Sequence, residues 1–288
     1  PHKGKRDQFY FMISLLDPYR FRDEHDVNKE GLRDLMIRRL KSEMYESDGS
    51  KMFPEKNIET LPVTFTPEER DLYENVTEYI TEHYNLAHRE DNDTAGFAMV
   101  LYQKRLVSSI HAIRKSLKNR MQSIQAGGSD PGDLSQLTKS LLPQYREDPE
   151  MLTDAQREKI EEELGSVAAS SDPEKVKQEL SIVRDLYNQA KAIDVDSKAE
   201  QLREFVDGVL AEDPDEKILI FTEYTDTLEY LRDRLFSEHD LAQVYGDLSQ
   251  PERRRQLKKF EDESNIMLAT DAAREGLNLQ FAHIMVNY

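Results

Sequence analysis

The sequence predicts an α/β fold in the C-terminal third of the chain, with a parallel sheet flanked by helices, preceded by a mostly helical region. From residue 196 onward, short apolar runs alternate with amphipathic helical patterns. This alternation implies right-handed crossovers between parallel strands. Before residue 196 the apolar residues recur mainly at helical spacing, and Gly, Pro and Ser clusters divide that region into segments.

The composition limits the class of protein. A chain of 288 residues is long enough for about two domains. It has no Cys, 38% of its residues are hydrophobic, and no apolar run is long enough to span a membrane. We therefore expect a cytoplasmic protein without disulfides, thiolate metal sites or a membrane partner.

The net charge leaves two interpretations open. A formal charge of -18 is unusual for a protein that binds nucleic acid, because such proteins are normally basic. A local basic groove can nevertheless lie within an acidic protein. The charge therefore fits either a nucleic-acid-binding protein with an acidic surface or a protein that never contacts nucleic acid.

The first 65 residues contain signals for helices and one strand. Apolar residues between Phe9 and Leu16 predict an amphipathic helix that ends before Pro18. A second helix is predicted over residues 31–44, and alternation of apolar and polar residues predicts a strand over residues 58–65.

Residues 66–125 are predicted to form a helical protrusion. Thr66 and Glu69 match a capping box around Pro67, and residues 95–121 follow one long helical pattern. The later helix is the one concentrated basic stretch of the chain. Its positive charge fits a groove wall that faces phosphates, or equally a solvated helix face. The basic residues are Lys104, Arg105, Arg114, Lys115, Lys118 and Arg120.

Residues 126–195 have a different character. Gly and Pro residues separate short acidic helical segments, for example DAQREKIEEELG at residues 154–165. This composition predicts an acidic linker or a helical insertion, and no pattern of catalytic or binding residues stands out in it.

The last 93 residues alternate strands and helices. Apolar runs predict strands at residues 217–221, before Gly246, at 265–270 and from Ala282. Helix starts are marked by Ser197 and by a capping box of Ser249 and Glu252.

The stretch at residues 265–280, NIMLATDAAREGLNLQ, is the most informative of the sequence. Its apolar run ends at Thr270 and Asp271, and a turn of small residues leads to Gly276 and Asn278. Such a run is typical of a buried parallel strand that delivers a hydroxyl and a carboxylate to the carboxyl edge of the sheet. Open α/β sheets bind their ligands at that edge.

This stretch resembles the fifth conserved motif of superfamily 2 helicases and translocases, in the form used by the SWI/SNF-like group. The segments DSKAEQLREFV, KILIFTEYTDTLEYLRDRL and VYGDLSQPERRRQLKKF precede it in the order of that family. The resemblance is strongest over residues 196–288, supportive over 1–65 and absent over 126–195. Prokaryotic members, such as the bacterial RNA polymerase-recycling ATPase, are more similar than eukaryotic remodellers.

The resemblance implies a domain organisation. Residues 196–288 would form most of a second RecA-like helicase lobe, truncated at its end. Residues 1–65 would be the tail of the first motor lobe and the bridging segment. The opening Pro1, His2 and Gly4 match the end of the third helicase motif, and the basic run at 37–41 matches the bridge.

The resemblance also implies residue roles at the nucleic acid. Thr222 ends a strand, where its hydroxyl would bond a phosphate of the tracking strand. Gly246 would let the backbone approach a ligand closely. Thr270 would contact phosphate, and Asp271 would orient the following loop. Arg114 and Lys115 are the candidates for the basic groove wall.

Nucleotide binding is implied for Gly276 and Asn278. They match the Gly-x-Asn/Asp pair that the family turns toward the nucleotide at the lobe interface. Ala273 and Arg274 stand where many eukaryotic members have two glycines, a departure that concerns the conformation of this loop and not its position.

The sequence lacks the phosphate-binding loop G-x-x-x-x-G-K-[ST], and the family's arginine finger would lie beyond Tyr288. Phosphoryl transfer needs a phosphate cradle, magnesium and an arginine. We therefore expect ATP and Mg²⁺ to act in the full-length protein, together with the missing N-terminal RecA-like lobe. This chain alone is expected not to hydrolyse ATP, and its histidines show no metal-ligand spacing.

Three functions remain open at this stage. The first is a fragment of an ATP-dependent helicase or translocase that acts on double-stranded DNA. The second is an RNA-directed helicase, although the form of the motif at 276–279 favours DNA. The third is a non-catalytic helical module with a degenerate helicase lobe that docks a protein partner.

Overall fold

The computed structural model describes most of the chain as two compact units, residues 1–60 and 61–288. The described residues are 6–23, 25–33, 35–37, 39–40, 43–53, 57–89, 92–127, 134–147, 152–167, 172–270 and 279–288. Within these ranges, no helix combines the length and the apolar character that crossing a bilayer requires.

The first unit contains two helices in its described residues, α1 (Arg6–Ser14) and α2 (Lys29–Leu32). Helix α1 confirms that a helix forms before Pro18, but it ends at Ser14, and Phe11, Leu15 and Leu16 of the predicted apolar face are exposed. The Asn28 side chain caps α2 by accepting a hydrogen bond from the Gly31 N–H at 2.9 Å.

Two sequence predictions for this part of the chain are wrong. The helix expected over residues 31–44 extends no further than Leu32 among the described residues. No strand forms over residues 58–65, where Ile58 is exposed and Pro62 lacks the N–H that a strand ladder needs.

The second unit begins with a helical layer that shares one hydrophobic core. The core runs from Leu72 to Ala190, and its members come from helices on both sides of residue 126. The predicted division between a protrusion at 66–125 and a linker or insertion at 126–195 therefore falls inside a single packed body. The helices are α3 (Pro67–Arg89), α4 (Asp93–Ser108), α5 (Ile110–Gln125), α6 (Gln136–Glu147), α7 (Asp154–Ser166) and α8 (Pro173–Ala192).

The single long helix predicted over residues 95–121 is divided at Ser109. This residue is extended, with φ -162° and ψ 154°, and its side chain accepts a hydrogen bond from the Ala112 N–H. The cap that starts α5 therefore ends α4. Ser108 and Ser109 hydroxyls both bond the Thr227 hydroxyl, at 2.9 and 3.0 Å, so the break fixes the helical layer to the sheet domain.

The capping box at the start of α3 is confirmed. Thr66 Oγ1 accepts from the Glu69 N–H at 3.2 Å, and Glu69 accepts from the Thr66 N–H at 2.7 Å. The Glu69 carboxylate also accepts from the Ser197 N–H and hydroxyl. One carboxylate thus joins the starts of two helices that are 128 residues apart in sequence.

Replacing Thr66 with alanine is expected to lower the free energy of unfolding by about 1 kcal/mol, because the Glu69 N–H loses its capping acceptor. Urea unfolding at neutral pH measures this change. Thr81→Ala is the matched control, because its hydroxyl bonds a carbonyl within the exposed face of the same helix. An equal loss in the control would contradict a capping role.

The α/β domain confirms the predicted fold class. Its four-stranded sheet has the order β2-β3-β1-β4, and every described pair of neighbours is parallel. The strands are β1 (Ile218–Thr222), β2 (Leu241–Val244), β3 (Ile266–Thr270) and β4 (Ile284–Asn287). The helices are α9 (Ser197–Glu212), α10 (Thr225–Tyr230), which continues as a π-helical turn over Leu231–Leu235, and α11 (Gln250–Asp262).

The central strands bury both faces of the sheet, as their continuous apolar runs predict. Ile218, Ile220, Ile266 and Leu268 pack in one core with α9 and α10. Leu219, Phe221, Met267 and Ala269 belong to a second core that contains Phe260 of α11. Helices therefore cover both faces, and the carboxyl ends of β1, β2 and β3 are brought to one edge.

Candidate nucleic-acid interface

Three of the sequence-predicted residues lie side by side at the carboxyl edge of the sheet. Thr222 and Thr270 are register partners at the ends of β1 and β3. Gly246 follows β2, whose last residue pairs with Ala269. The structure therefore brings together Thr222, Gly246 and Thr270. Asp271, Gly276 and Asn278 lie outside the described residues.

The edge is occupied by a carboxylate from the helical layer, that of Asp154. Thr270 Oγ1 donates to Asp154 Oδ2 at 2.7 Å, and the Gly246 N–H donates to the same oxygen at 2.6 Å. The other oxygen, Oδ1, pairs with Arg157. Asp154 is 4% exposed and Thr270 is fully buried, so solvent has no direct access to this contact.

Sequence reasoning did not identify Asp154, because it found no chemistry in residues 126–195. The two contacts join residues that are 92 and 116 positions apart. No spacing rule connects positions so distant. The available signal was an Asp that directly follows Thr153, the N-cap of a capping box with Gln156, and so opens an acidic helix.

The start of α7 is attached to the loop after β2 by a further bond. The Ala155 N–H donates to Asp247 Oδ2 at 3.0 Å. Because Asp247 directly follows Gly246, bonds to both residues hold the first turn of α7 against this loop. The contact is therefore an extended fit of one helix end to the sheet edge.

The hydroxyl of Thr222 has unused bonding capacity. Thr222 is 2% exposed, and its Oγ1 has no hydrogen-bond partner among the described residues. The Tyr224 hydroxyl, two residues further on, also has no hydrogen-bond partner among the described residues. Buried hydroxyls are normally satisfied, so such an atom at a ligand-binding edge indicates a place for a bonding ligand.

The basic residues of α4 and α5 mostly face acidic side chains of this chain. Arg105 Nη1 donates to Glu161 at 2.8 Å, and Arg105 Nη2 pairs with Asp226. Lys115 bonds Glu158 at 2.9 Å and also pairs with Asp226. These contacts place Lys115, a candidate for the groove wall, in an ion-pair network between α5, α7 and α10.

The electrostatics of this network centre on Asp226. Burial would raise the pKa of Asp226, but Arg105 and Lys115 outweigh it and hold this pKa below its ordinary value. Burial raises the pKa of Glu161 despite the opposing effect of Arg105. Arg105, Lys115, Asp226 and Glu161 thus form a group of ion pairs directly beside the carboxyl edge of the sheet.

The second groove-wall candidate, Arg114, contacts His111. Its Nη2 is 2.9 Å from His111 Nδ1, and the His111 ring stacks on Tyr230 with centroids 5.2 Å apart. Burial, followed by the positive charge of Arg114, lowers the pKa of His111. No bond joins Arg114 to Thr222, Gly246 or Thr270 in the part of the chain that the structure describes.

Metal-binding clusters are absent from the same part of the chain. None of its described His, Asp and Glu residues form a group of three or more that could hold an ion.

The fold and the edge define a class of protein. A parallel sheet with helices on both faces is an open α/β fold, and such folds bind their ligands at the carboxyl edge of the sheet. Residues 197–288 match the family model of the helicase conserved C-terminal domain. Over these residues the chain has a helicase conserved C-terminal domain.

Similar proteins support the assignment. The chain is 22% identical over its whole length to the uncharacterized ATP-dependent helicase YqhH of Bacillus subtilis, of which it spans 43%. It is 35% identical over 74 residues to the ATP-dependent RNA helicase DBP3 of Saccharomyces cerevisiae, covering 25% of this chain and 14% of that protein. The chain therefore spans less than half the length of these relatives.

The fold is similar to that of a solved helicase domain. The Hef helicase domain of Pyrococcus furiosus superposes with a TM-score of 0.50 at 17% identity. The match covers 81% of this chain and 50% of that chain. It therefore extends over more of the chain than the C-terminal domain alone.

Proposed function

We propose that this chain supplies most of the second motor lobe of an ATP-dependent, SWI/SNF-like translocase that acts on double-stranded DNA. The carboxyl edge of the sheet grips a phosphate of the tracking strand. The observation that best supports this proposal is that Thr222, Gly246 and Thr270 lie next to one another at that edge. The domain that contains them matches the helicase C-terminal model.

The chemistry of the edge suits phosphate binding by an acidic protein. Affinity based on ion pairs falls steeply with salt, because it depends on counterion release. Hydroxyl and backbone N–H donors position a phosphate without that dependence on basic side chains. The spare donor capacity of Thr222 and the donors of Gly246 and Thr270 are of this kind.

ATP and Mg²⁺ enter the proposal through the whole motor. We place the nucleotide between this lobe and an N-terminal RecA-like lobe, with Gly276 and Asn278 turned toward it. When bound, magnesium neutralises the charge that develops on the transferred phosphoryl group. The chain by itself is proposed to be inactive as an ATPase, and the motor is proposed to work in the cytoplasm.

An RNA-directed helicase is the second candidate. The similarity to the RNA helicase DBP3 favours it, at 35% identity over the 74 aligned residues. The Gly-Leu-Asn-Leu form at residues 276–279 favours the DNA-directed group. The same binding experiment, run with DNA and RNA duplexes and single strands, separates the two candidates.

Replacing Thr222 with valine is expected to weaken duplex binding about tenfold, because a phosphate loses one charge-assisted hydrogen bond. Its hydroxyl has no partner among the described residues, so the fold loses no described bond. We therefore expect thermal stability equal to or above that of the unchanged protein. Fluorescence anisotropy with a labelled duplex at low salt measures the affinity.

Thr227→Val is the matched control at the same end of the domain. Its hydroxyl is bonded to Ser108 and Ser109, so its loss should lower stability without a specific loss of binding. Equal affinities for unchanged protein and Thr222→Val would overturn the phosphate role. Absence of binding to any oligonucleotide would instead favour a module that docks a protein.

A further inference from the structure

Two of the strand-edge donors that the proposed function gives to a phosphate, the Gly246 N–H and the Thr270 hydroxyl, are already occupied within the chain. Asp154 Oδ2 accepts from the Gly246 N–H and from Thr270 Oγ1 at 2.6 and 2.7 Å. One oxygen thus bridges the ends of two neighbouring strands. This is the arrangement in which an anionic phosphate oxygen would be held.

A carboxylate and a phosphate present the same chemistry to these donors. Both offer anionic oxygens that accept short, charge-assisted hydrogen bonds. The remaining oxygen of Asp154 faces Arg157, a cation that binds either group through its guanidinium. Arg157 Nε has no partner among the described residues, so this guanidinium can donate a further hydrogen bond to a ligand oxygen.

Access to Thr270 depends on the position of α7. Thr270 is fully buried and Asp154 is 4% exposed. The bond from the Ala155 N–H to Asp247 fastens the same helix end to the loop after β2. A phosphate can reach the Thr270 hydroxyl only after the Asp154 carboxylate has left it.

We propose that Asp154 is an internal phosphate surrogate, so that the first turn of α7 closes the nucleic-acid edge until a phosphate of the tracking strand displaces it. The inference rests on the proposed function, because it takes the natural ligand of Gly246 and Thr270 to be a phosphate. It gives the acidic region 126–195 a role as an intramolecular competitor of nucleic acid.

A competitor inside the chain lowers the apparent affinity of the edge for its ligand. Only the fraction of molecules with an open edge binds, so the apparent dissociation constant rises by the inverse of that fraction. Weakening the closed form therefore tightens binding without any new contact to the ligand.

Replacing Asp154 with asparagine is expected to tighten binding of a labelled duplex about tenfold. The amide keeps the size of the side chain, but it loses the ion pair with Arg157 and accepts more weakly from Gly246 and Thr270. Anisotropy at low salt gives the affinity. Thermal unfolding of the same preparation verifies that the variant is folded.

Glu162→Gln is the matched control, because Glu162 is an exposed acidic residue on the same helix. It removes the same charge and should change affinity less than about twofold, as expected for an exposed charge in screening salt. Equal tightening by Glu162→Gln and Asp154→Asn would overturn the inference, since the effect would then be a general loss of negative charge.

A double-mutant cycle gives a second test. Thr270→Val removes a bond from both the closed and the bound form in the unchanged protein, so its effect on affinity there is small. In the Asp154→Asn background the closed form is already weak, and the same change should cost about tenfold. Equal effects in the two backgrounds would contradict competition at Thr270.

The outcomes separate this inference from the proposed function. If Thr222→Val weakens binding while Asp154→Asn leaves it unchanged, the phosphate edge stands and the surrogate is rejected. If neither the unchanged protein nor any of the variants binds DNA or RNA, both the proposed function and the surrogate role of Asp154 are rejected.

Discussion

Replacing Arg120 with alanine is expected to lower the free energy of unfolding by about 3–5 kcal/mol, because a buried ion pair is broken by removal of one partner. Arg120 is completely buried in the helical core. Its Nε and Nη2 donate to Glu179 Oε1 at 2.8 and 2.6 Å, and its Nη1 donates to the Gly165 carbonyl at 3.0 Å.

The remaining groups explain why the loss is large. Glu179 is 4% exposed, and without Arg120 its charge would have only the Tyr79 hydroxyl, at 2.9 Å, and the nearby His83 as described polar neighbours. The Gly165 carbonyl would lose its guanidinium donor as well. A buried charge without its counter-ion costs far more than the net value of the pair.

Urea unfolding at neutral pH measures the effect, with two comparisons. Lys118→Ala changes an exposed residue of the same helix and should stay within about 0.5 kcal/mol of the unchanged protein. Arg120→Met combined with Glu179→Leu removes both charges and should recover much of the loss. If Arg120→Ala lowered the free energy of unfolding by less than about 1 kcal/mol, the ion pair of Arg120 and Glu179 would not be a main source of stability for this core.

This network also shows what the sequence could not reveal about residues 126–195. Glu179 lies in α8 and Gly165 in α7, while Arg120 belongs to α5. The acidic composition and the Gly and Pro punctuation indicated a linker or insertion. Tertiary contacts, 45 and 59 residues apart in sequence, pack its helices α7 and α8 into the helical core.

The α/β domain was predictable because its strands are short apolar runs between capped helices. Parallel strands deliver their last residues to one edge, and that rule predicted the place of Thr270. Thr222 and Gly246 were assigned through the resemblance to superfamily 2 helicases. The strand expected at 58–65 was wrong, since alternation alone does not supply a pairing partner. Asp154 escaped prediction because its contact depends on how two layers pack.

The basic stretch of α4 and α5 is a second case in which tertiary contacts could not be predicted from the sequence. Charge clustering suggested a phosphate-facing groove, with Arg114 and Lys115 as its wall. In the structure Lys115 pairs with Glu158 and Asp226, and Arg105 pairs with Glu161 and Asp226. A linear count of cations cannot show that the matching anions arrive from distant helices.

Replacing Asp226 with asparagine is expected to cost about 3 kcal/mol at neutral pH, since it leaves the buried Arg105 with one counter-ion fewer and weakens the hold on Lys115. The cost should depend on pH. The two cations hold the pKa of Asp226 below its ordinary value of 3.8, against the effect of burial. A carboxylate with a lowered pKa stabilises the folded state above that ordinary value.

The sign of the pH dependence follows directly. In the unchanged protein, Asp226 binds a proton as the pH falls through 3.8 and then through the lower pKa of the folded state. The stabilisation that its charge provides is lost over this range. The asparagine of the Asp226→Asn variant does not titrate in this range. The difference in unfolding free energy between the two proteins therefore shrinks as the pH falls. Urea unfolding at several pH values from neutral downward measures it.

Asp215→Asn provides the comparison, because Asp215 is exposed in the same domain. Its unfolding free energy should stay within about 0.5 kcal/mol of the unchanged protein at neutral pH. If the loss in Asp226→Asn stayed constant down to strongly acidic pH, packing of the side chain and not its charge would hold α10 to α4 and α5. A loss that shrinks below pH 3.8 means that one buried carboxylate keeps the helical layer fixed beside the carboxyl edge of the sheet.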